Sequence, residues 1–236
     1  VTSVALDPIE KKPLARFYPG SMVLSVGSFG CNLSCPFCQN CGISTVGDGD
    51  IPTEFISPEE LAALAKKLEA RGNIGAAYTY NEPMVGYEYV RDASIEIKQL
   101  GMKNVVVTNG SVSTEALGEV LPYVDAYNID LKCFTEAGYR ALGGDLETVK
   151  AFIRAAADRA HVELTTLIVP GFNDNKDEMA ALSAWVASVD RKIPLHITRF
   201  FPRYKMADKS PTDVAVLRAL ADVAKKQLDT VLLGNV

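Results

Sequence analysis

Four of the five cysteines in this chain lie close together: Cys31, Cys35, Cys38 and Cys41. A disulfide framework would spread its cysteines through a small secreted chain. A tight group within a chain of 236 residues instead indicates metal or redox chemistry. The fifth cysteine, Cys133, stands alone and is expected to be a small buried apolar side chain.

The spacing Cys31-x3-Cys35-x2-Cys38 predicts that three thiolates surround a common centre. Thiolates are soft ligands that select zinc or iron–sulfur clusters. Three thiolates on a four-iron cluster leave one iron free for another ligand. Two alternatives stay open, which are structural zinc with Cys41 as the fourth ligand and an electron-transfer cluster held by four thiolates. Zinc sites more often consist of two separated pairs, and the usual four-thiolate run has nearly the reverse spacing.

The segments that must position this loop alternate between two periodicities. Apolar runs rich in β-branched residues predict buried strands at 22–26, 75–79, 104–108, 126–131, 162–169 and 195–200, with a further short strand at 230–233. Amphipathic stretches with the helical period lie at 58–71, 85–100, 114–121, 146–159, 176–188 and 211–227. Six strand–helix units of this kind predict a parallel sheet covered by helices.

The number of units favours an open barrel. A closed eight-unit barrel typically needs about 250 residues, so we predict a partial, open (β/α)6 TIM-like barrel of the α/β class. It forms a single domain, 1–236, in which residues 1–20 are an N-terminal extension that packs on the barrel. A doubly wound sheet is the structural alternative. In both architectures ligands gather at the carboxyl ends of the strands, and polar motifs follow all six predicted strands, at 31–41, 80–83, 108–110, 130–132, 170–174 and 199–205.

Composition excludes several classes of function. Lysine and arginine number 24 against 29 aspartate and glutamate, and this formal net charge of −5 argues against a broad nucleic-acid footprint. No apolar run approaches the roughly 18 residues needed to span a bilayer, and no signal peptide opens the chain. We therefore expect a cytoplasmic protein that binds neither nucleic acid nor membrane.

The cysteine spacing, with an aromatic residue before the third cysteine, resembles the signature of the radical S-adenosylmethionine (radical SAM) enzymes. The surrounding segments resemble the glycyl-radical-activating branch, which includes pyruvate formate-lyase activating enzyme, and within it the AmmeMemoRadiSam type. These segments are SVGSFGCNLSCPFCQN, AYTYNEP, VVTNG, YNIDLK, LIVPGFND and HITRFFPRYKM, and the likeness runs over essentially the whole chain.

The resemblance implies a cofactor pair. Cys31, Cys35 and Cys38 would hold a [4Fe–4S] cluster whose open iron chelates S-adenosylmethionine, while Cys41 lies outside the signature and is expected to be a free thiol. An electron from the cluster would cleave S-adenosylmethionine to methionine and a 5′-deoxyadenosyl radical, which abstracts hydrogen from the substrate. The cofactor supplies the hard chemistry, and the protein positions it.

The resemblance also implies which residues contact S-adenosylmethionine. Phe37, Cys38 and Gln39 would meet the adenine, Glu82 the ammonium and Lys132 the methionine carboxylate, while Asp130 would meet the ribose or orient Lys132. Asn81, which precedes Glu82, is also expected to contact the cofactor. Thr108, Asn109, Val169 and Tyr204 complete the expected set. Asp130 and Lys132 are also the candidate catalytic residues, because strand alternation places both on one face.

The implied partners are an electron donor such as flavodoxin or ferredoxin and a substrate, which is a glycine of a glycyl radical enzyme or, alternatively, an unknown small or macromolecular substrate. The chain departs from the family pattern at three places. Tyr80 and Asn81 replace two glycines of the family motif, so the backbone approaches the ligand less freely, and Val107 replaces an aspartate, which argues against a cation site there. Tyr204 stands roughly where the activating enzymes carry a histidine, and this departure weakens the glycine assignment.

Overall fold

The computed structural model describes residues 1–236 as one eight-stranded sheet with helices on one face. The strands are β1 Ser3–Pro8, β2 Met22–Gly27, β3 Asn73–Tyr78, β4 Lys103–Thr108, β5 Ala126–Asp130, β6 His161–Ile168, β7 Leu195–Arg199 and β8 Val231–Gly234. The helices are α1 Cys41–Ser44, α2 Pro58–Lys67, α3 Tyr87–Gln99, α4 Thr114–Val120, α5 Glu136–Ala141, α6 Leu146–Ala157, α7 Lys176–Asp190 and α8 Val214–Ala224.

The strands follow one another across the sheet in chain order. Strands β2 to β8 are all parallel, whereas β1 pairs antiparallel with β2. Strands β1 and β8 form the two edges, so the barrel is open between them. This confirms the predicted α/β partial barrel.

Two kinds of element escaped the sequence analysis. Strand β1 carries only a short alternation around Val4 and Leu6, and it is held because its backbone pairs with β2 from Ser3 to Pro8. Helices α1 and α5 have 4 and 6 residues, too few to show a helical period. The short strand expected at 230–233 is present as β8.

Local signals explain where the longer helices begin. Ser57 caps α2 in a capping box with Glu60, Ser113 caps α4, and Asn175 caps α7, each accepting a backbone N–H of the first turn. The helices then bury their apolar faces against the sheet in a core cluster of 40 buried residues. This packing fixes the carboxyl ends of the parallel strands at one rim.

The other face of the sheet is closed by the segment before β2. Ile9, Leu14 and Phe17 pack on strand residues that alternate with the helix-facing ones, among them Val23 and Ala77. Glu163, fully buried on β6, accepts the backbone N–H groups of Ala15 and Arg16 at 3.0 and 2.7 Å and so holds this segment in place. Residues 9–17 therefore fill the interior beneath the strand ends. No helix of the structure has the length and apolarity to cross a membrane.

Candidate radical SAM site

The open barrel contains a cavity of about 410 Å³ on the face turned away from the helices. Eleven of the predicted site residues line it: Cys31, Cys35, Phe37, Cys38, Gln39, Asn81, Glu82, Thr108, Asn109, Asp130 and Lys132. These residues come from the loops after β2, β3, β4 and β5, because parallel strands end at the same rim. Val169 and Tyr204 are not among the lining residues.

The loop after β2 brings the three signature cysteines to one side of the cavity. The backbone turns at Gly30, with φ of +84°, and again where Cys38 N donates to Cys35 O at 3.2 Å. The Sγ of Cys31 accepts from Leu33 N at 3.3 Å and from Asn109 Nδ2 at 3.6 Å. Partial burial raises the pKa of Cys31 and raises that of Cys35 to about 11, so their thiolates need a ligand of opposite charge to form at neutral pH.

The donor set of the loop is three thiols. Cys41 begins α1 and lies outside the cavity lining. Three thiols around an open volume, with two N–H donors aimed at one sulfur, suit a [4Fe–4S] cluster bound by Cys31, Cys35 and Cys38. Cys133 is 1% exposed in the core, as expected from the sequence.

Glu82 is the most constrained acid of the site. It is buried, and its Oε1 accepts Thr108 Oγ1 at 2.6 Å and Met84 N at 3.0 Å, while its Oε2 accepts Asn109 N at 2.7 Å. Burial raises its pKa to about 7, although these three hydrogen bonds oppose the shift. A carboxylate offers about four acceptor positions, and three of those of Glu82 have donors within the protein.

Asp130 and Lys132 form an ion pair across the cavity wall, with Lys132 Nζ donating to Asp130 Oδ2 at 2.6 Å. Burial alone would lower the pKa of Lys132, but the neighbouring Asp130 carboxylate raises it, so the ammonium stays charged. Their side chains remain 18% and 33% exposed for Lys132 and Asp130 respectively, and both are accessible from the cavity.

The remaining predicted residues have supporting positions. Phe37 is buried against Val169 and Phe200, and its ring lies 5.6 Å from that of Phe172, so Val169 lies behind the cysteine loop rather than on the cavity surface. Tyr204 begins a short 3-10 turn over that loop, whose next residue donates its N–H to Pro36 O at 3.1 Å.

Asn81 serves the backbone of the loop that precedes the cysteines. Its Nδ2 donates to the carbonyls of Phe29 and Gly30 at 3.0 and 3.3 Å, and its Oδ1 accepts Ser28 N at 2.9 Å. The preceding Tyr80 adopts a left-handed conformation with φ of +75°, which glycine takes without strain. The replacement of the family's two glycines is therefore absorbed by a strained backbone and a new side-chain clamp.

Lys11, Lys12 and Tyr80 complete the cavity wall, and Asp7 lies behind them and contacts all three. These four residues are called here the lysine end of the cavity, and the sequence analysis had singled out neither Asp7 nor the two lysines. Asp7 accepts Tyr80 Oη at 2.6 Å, Ser25 Oγ at 2.9 Å, and the ammonium groups of Lys11 and Lys12 at 3.0 Å each. Burial favours a raised pKa for Asp7, but these four bonds hold it well below its usual range. Lys11 and Lys12 do not follow any predicted strand, so the search for polar residues at strand ends could not identify them.

The fold is an open parallel β/α barrel that carries three cysteines in the loop after its first parallel strand, as radical SAM proteins do. A model of the Radical SAM superfamily matches residues 25–185, and the chain belongs to that superfamily. It is 40% identical over 239 aligned residues to the uncharacterized protein MJ0808 of Methanocaldococcus jannaschii, covering all of this chain and 70% of that protein.

Two further likenesses are more distant. The pyruvate formate-lyase-activating enzyme of Staphylococcus aureus is 22% identical over 173 residues, which cover 68% of this chain and 67% of that enzyme. The crystal structure of Streptococcus suis SuiB bound to S-adenosylmethionine superposes with a TM-score of 0.69 at 12% identity, over 91% of this chain and 52% of SuiB. The first marks a distant relation to the activating enzymes, and the second establishes the shared fold.

Proposed function

We propose that this protein uses a [4Fe–4S] cluster on Cys31, Cys35 and Cys38 to cleave S-adenosylmethionine reductively and to abstract hydrogen from a substrate. The observation that carries the proposal is the convergence of these three thiols with Glu82 and the Asp130–Lys132 pair on one cavity. When bound, the reduced cluster supplies the electron that breaks the sulfonium carbon–sulfur bond, and the fragment released abstracts the hydrogen.

The protein's own residues hold the reactants in register. The free acceptor position of Glu82 binds the ammonium of S-adenosylmethionine, and the Lys132 ammonium binds its carboxylate in a charge-assisted pair. Asp130 keeps Lys132 charged and oriented. Phe37 and the backbone of Cys38 and Gln39 bind the adenine beside the cluster. Fixing these groups before reaction lowers the entropic cost of reaching the transition state.

The first candidate substrate is a glycine in a partner protein, which would make the chain an activating enzyme for a glycyl radical enzyme. Its support is the relation to the Staphylococcus aureus activating enzyme over 68% of this chain. The second candidate is a different small-molecule or macromolecular substrate, as the AmmeMemoRadiSam resemblance left open, and we favour a small molecule. The observation that favours it is the pair of lysine ammonium groups in the cavity wall, at the lysine end.

The electron must come from outside, and we propose a one-electron donor protein such as flavodoxin or ferredoxin. Radical SAM proteins generally need an external reductant for their cluster. Dithionite replaces the donor in the test below, so the chemistry can be assayed before the partner is known.

The decisive experiment is anaerobic reconstitution with iron and sulfide, followed by electron paramagnetic resonance of the reduced protein with and without S-adenosylmethionine. We expect a [4Fe–4S] signal that changes when S-adenosylmethionine is added, together with formation of 5′-deoxyadenosine. Glu88→Gln, which alters an exposed acid on α3, is the control for the effects of purification and reconstitution and should behave as the wild type does. A colourless protein, or a cluster signal indifferent to S-adenosylmethionine, would overturn the proposal.

A further inference from the structure

The lysine end of the cavity has more positive than negative charge, because two lysines share one aspartate. Asp7 contributes one negative charge, whereas Lys11 and Lys12 contribute two positive ones. Asp7 is already saturated by four donors. This end of the cavity therefore has a net charge of about +1 inside a chain whose formal net charge is −5.

The ammonium of Lys12 has unused hydrogen-bonding capacity. An ammonium has three N–H donors, and Lys12 Nζ makes one hydrogen bond, to Asp7 Oδ2. Its other close neighbour is the face of the Tyr80 ring, 4.6 Å from the ring centroid, a favourable but non-directional contact. The Lys12 side chain is 2% exposed and lines the cavity. Its ion pair with Asp7 uses one of its three N–H donors, so the ammonium can donate to a further anion in the cavity.

The position of the lysine end suits a substrate rather than the cofactor. Lys11, Lys12 and Pro13 follow β1 at one edge of the open sheet, while Thr198 and Asn235 line the cavity from the other edge, on β7 and just beyond β8. The opening of the barrel lies between these edges. Lys11 is 65% exposed there and Lys12 lies inside, so the two ammonium groups run from solvent into the cavity.

Tyr80 ties this end to the cofactor end. Its hydroxyl donates to Asp7 and its carbonyl accepts Asn40 Nδ2 of the cysteine loop at 2.6 Å. Its strained backbone, with φ of +75°, is consistent with a position held for function. Tyr80 therefore joins Asp7, the partner of Lys12, to Asn40 of the cysteine loop.

We propose that Lys11 and Lys12 bind a carboxylate or phosphate group of the substrate, so that the substrate is a small anionic molecule entering between β1 and β8. This inference rests on the proposed function, because it takes the cavity to be the active site. The binding of an anion by the two lysines does not itself require radical chemistry. Lysine binds both oxyanions as a point charge, and the two arms of the test separate them.

The test is isothermal titration calorimetry of the reconstituted protein saturated with S-adenosylmethionine, using sodium phosphate in one arm and sodium acetate in the other, at constant ionic strength. We expect saturable binding in one arm or both. Lys11→Met, and the charge-neutral double variant Asp7→Asn/Lys12→Met, should each weaken it about tenfold to a hundredfold. Lys225→Met/Lys226→Met, on an exposed part of the chain after α8, should bind as the wild type does.

Three results would overturn the inference. Neither anion binds, or binding is unchanged in both lysine-end variants, or S-adenosylmethionine competes with the anion in protein that is not presaturated, which would assign the lysines to the cofactor. If the double variant does not fold, Lys11→Met alone decides, because Lys11 is mostly exposed and its removal leaves the Asp7–Lys12 pair intact. Cleavage of S-adenosylmethionine by the same samples reports separately on the proposed function.

Discussion

Thr108 Oγ1 donates to Glu82 Oε1 at 2.6 Å, joining the carboxyl ends of β3 and β4 across 26 residues of sequence. The same carboxylate accepts the next backbone N–H of the β4 loop, from Asn109. Asn109 in turn donates through its amide to Cys31 Sγ. A continuous hydrogen-bond chain thus links the acid that we assign to S-adenosylmethionine to a cysteine that we assign to the cluster, so both ends of the cofactor pair share one support.

Loss of one signature cysteine should remove the cluster. Cys35→Ala leaves two thiolates, which cannot hold the [4Fe–4S] unit, so iron content and S-adenosylmethionine cleavage should both fall to background. Cys41→Ala is the matched control, since Cys41 lies outside the cavity lining, and it should retain both. Iron and sulfide analysis with the 5′-deoxyadenosine assay measures the outcome, and cluster loss in Cys41→Ala would instead support ligation by four thiolates.

Binding of S-adenosylmethionine should depend on pH through Glu82. Burial raises its pKa to about 7, so the carboxylate that accepts the ligand's ammonium is mostly neutralised one unit below that value. Affinity measured by equilibrium dialysis should be about tenfold weaker at pH 6 than at pH 8. Glu82→Gln should bind weakly at both values with no such slope. An equal slope in the variant would assign the titration to another group.

Glu82 also leads to a prediction for the free energy of unfolding, which should change with pH in the opposite direction to the affinity for S-adenosylmethionine. Because the pKa of Glu82 is higher in the folded state than its usual 4.5, the folded protein retains this proton longer than the unfolded chain does. The contribution of Glu82 to the free energy of unfolding should therefore decrease as pH rises from about 4.5 to 7, by up to about 3 kcal/mol. Urea titrations of wild type and Glu82→Gln across this range isolate that contribution as the difference between the two curves.

The Lys132 charge should matter more than its packing. Lys132→Met removes the partner of the ligand's carboxylate and leaves Asp130 unpaired, and we expect affinity for S-adenosylmethionine to fall about tenfold to a hundredfold. Lys132→Arg keeps the charge and should retain a measurable part of the binding. Comparable loss in the two variants would show that the site needs the shape of lysine rather than its charge.

Glu163 should hold the N-terminal segment in place. Its carboxylate is fully buried and bonds to His161 and His196 as well as to Ala15 N and Arg16 N. Burial favours a raised pKa, but these four bonds lower it to about 2, so this stabilisation is present above pH 4.5 and is lost as pH falls toward 2. Glu163→Gln should cost about 3 to 5 kcal/mol at neutral pH, as measured by urea unfolding.

Unfolding measurements below pH 4.5 test the role assigned to Glu163. Between pH 4.5 and 2 the wild type should lose stability more steeply than Glu163→Gln does. Glu88→Gln, an exposed acid in the first turn of α3, should behave as the wild type at every pH. Parallel curves for wild type and Glu163→Gln would mean that the buried carboxylate does not titrate in this window.

Much of the architecture follows from local patterns. Apolar runs and helical periods located seven of the eight strands and the long helices, because buried parallel strands and amphipathic helices leave strong signals in the residue order. Strand β1 left only a weak one, since an edge strand of six residues depends on the backbone of β2 for its shape. Helices α1 and α5 were too short to show a helical period in the sequence.

The sequence by itself determined the alternation of strands and helices and the three-cysteine loop after the first parallel strand, because residue periodicity and cysteine spacing are local properties of the chain. The open barrel, rather than a doubly wound sheet, required the observed strand order. Tertiary structure alone decided that Asp7 and Lys12 meet Tyr80, 73 residues beyond Asp7, inside the barrel. It also decided that Val169 lies behind the cavity while Asn81 clamps the glycine turn. Such contacts depend on how closed the sheet is and on which side chains fill its interior, and neither property has a period in the sequence.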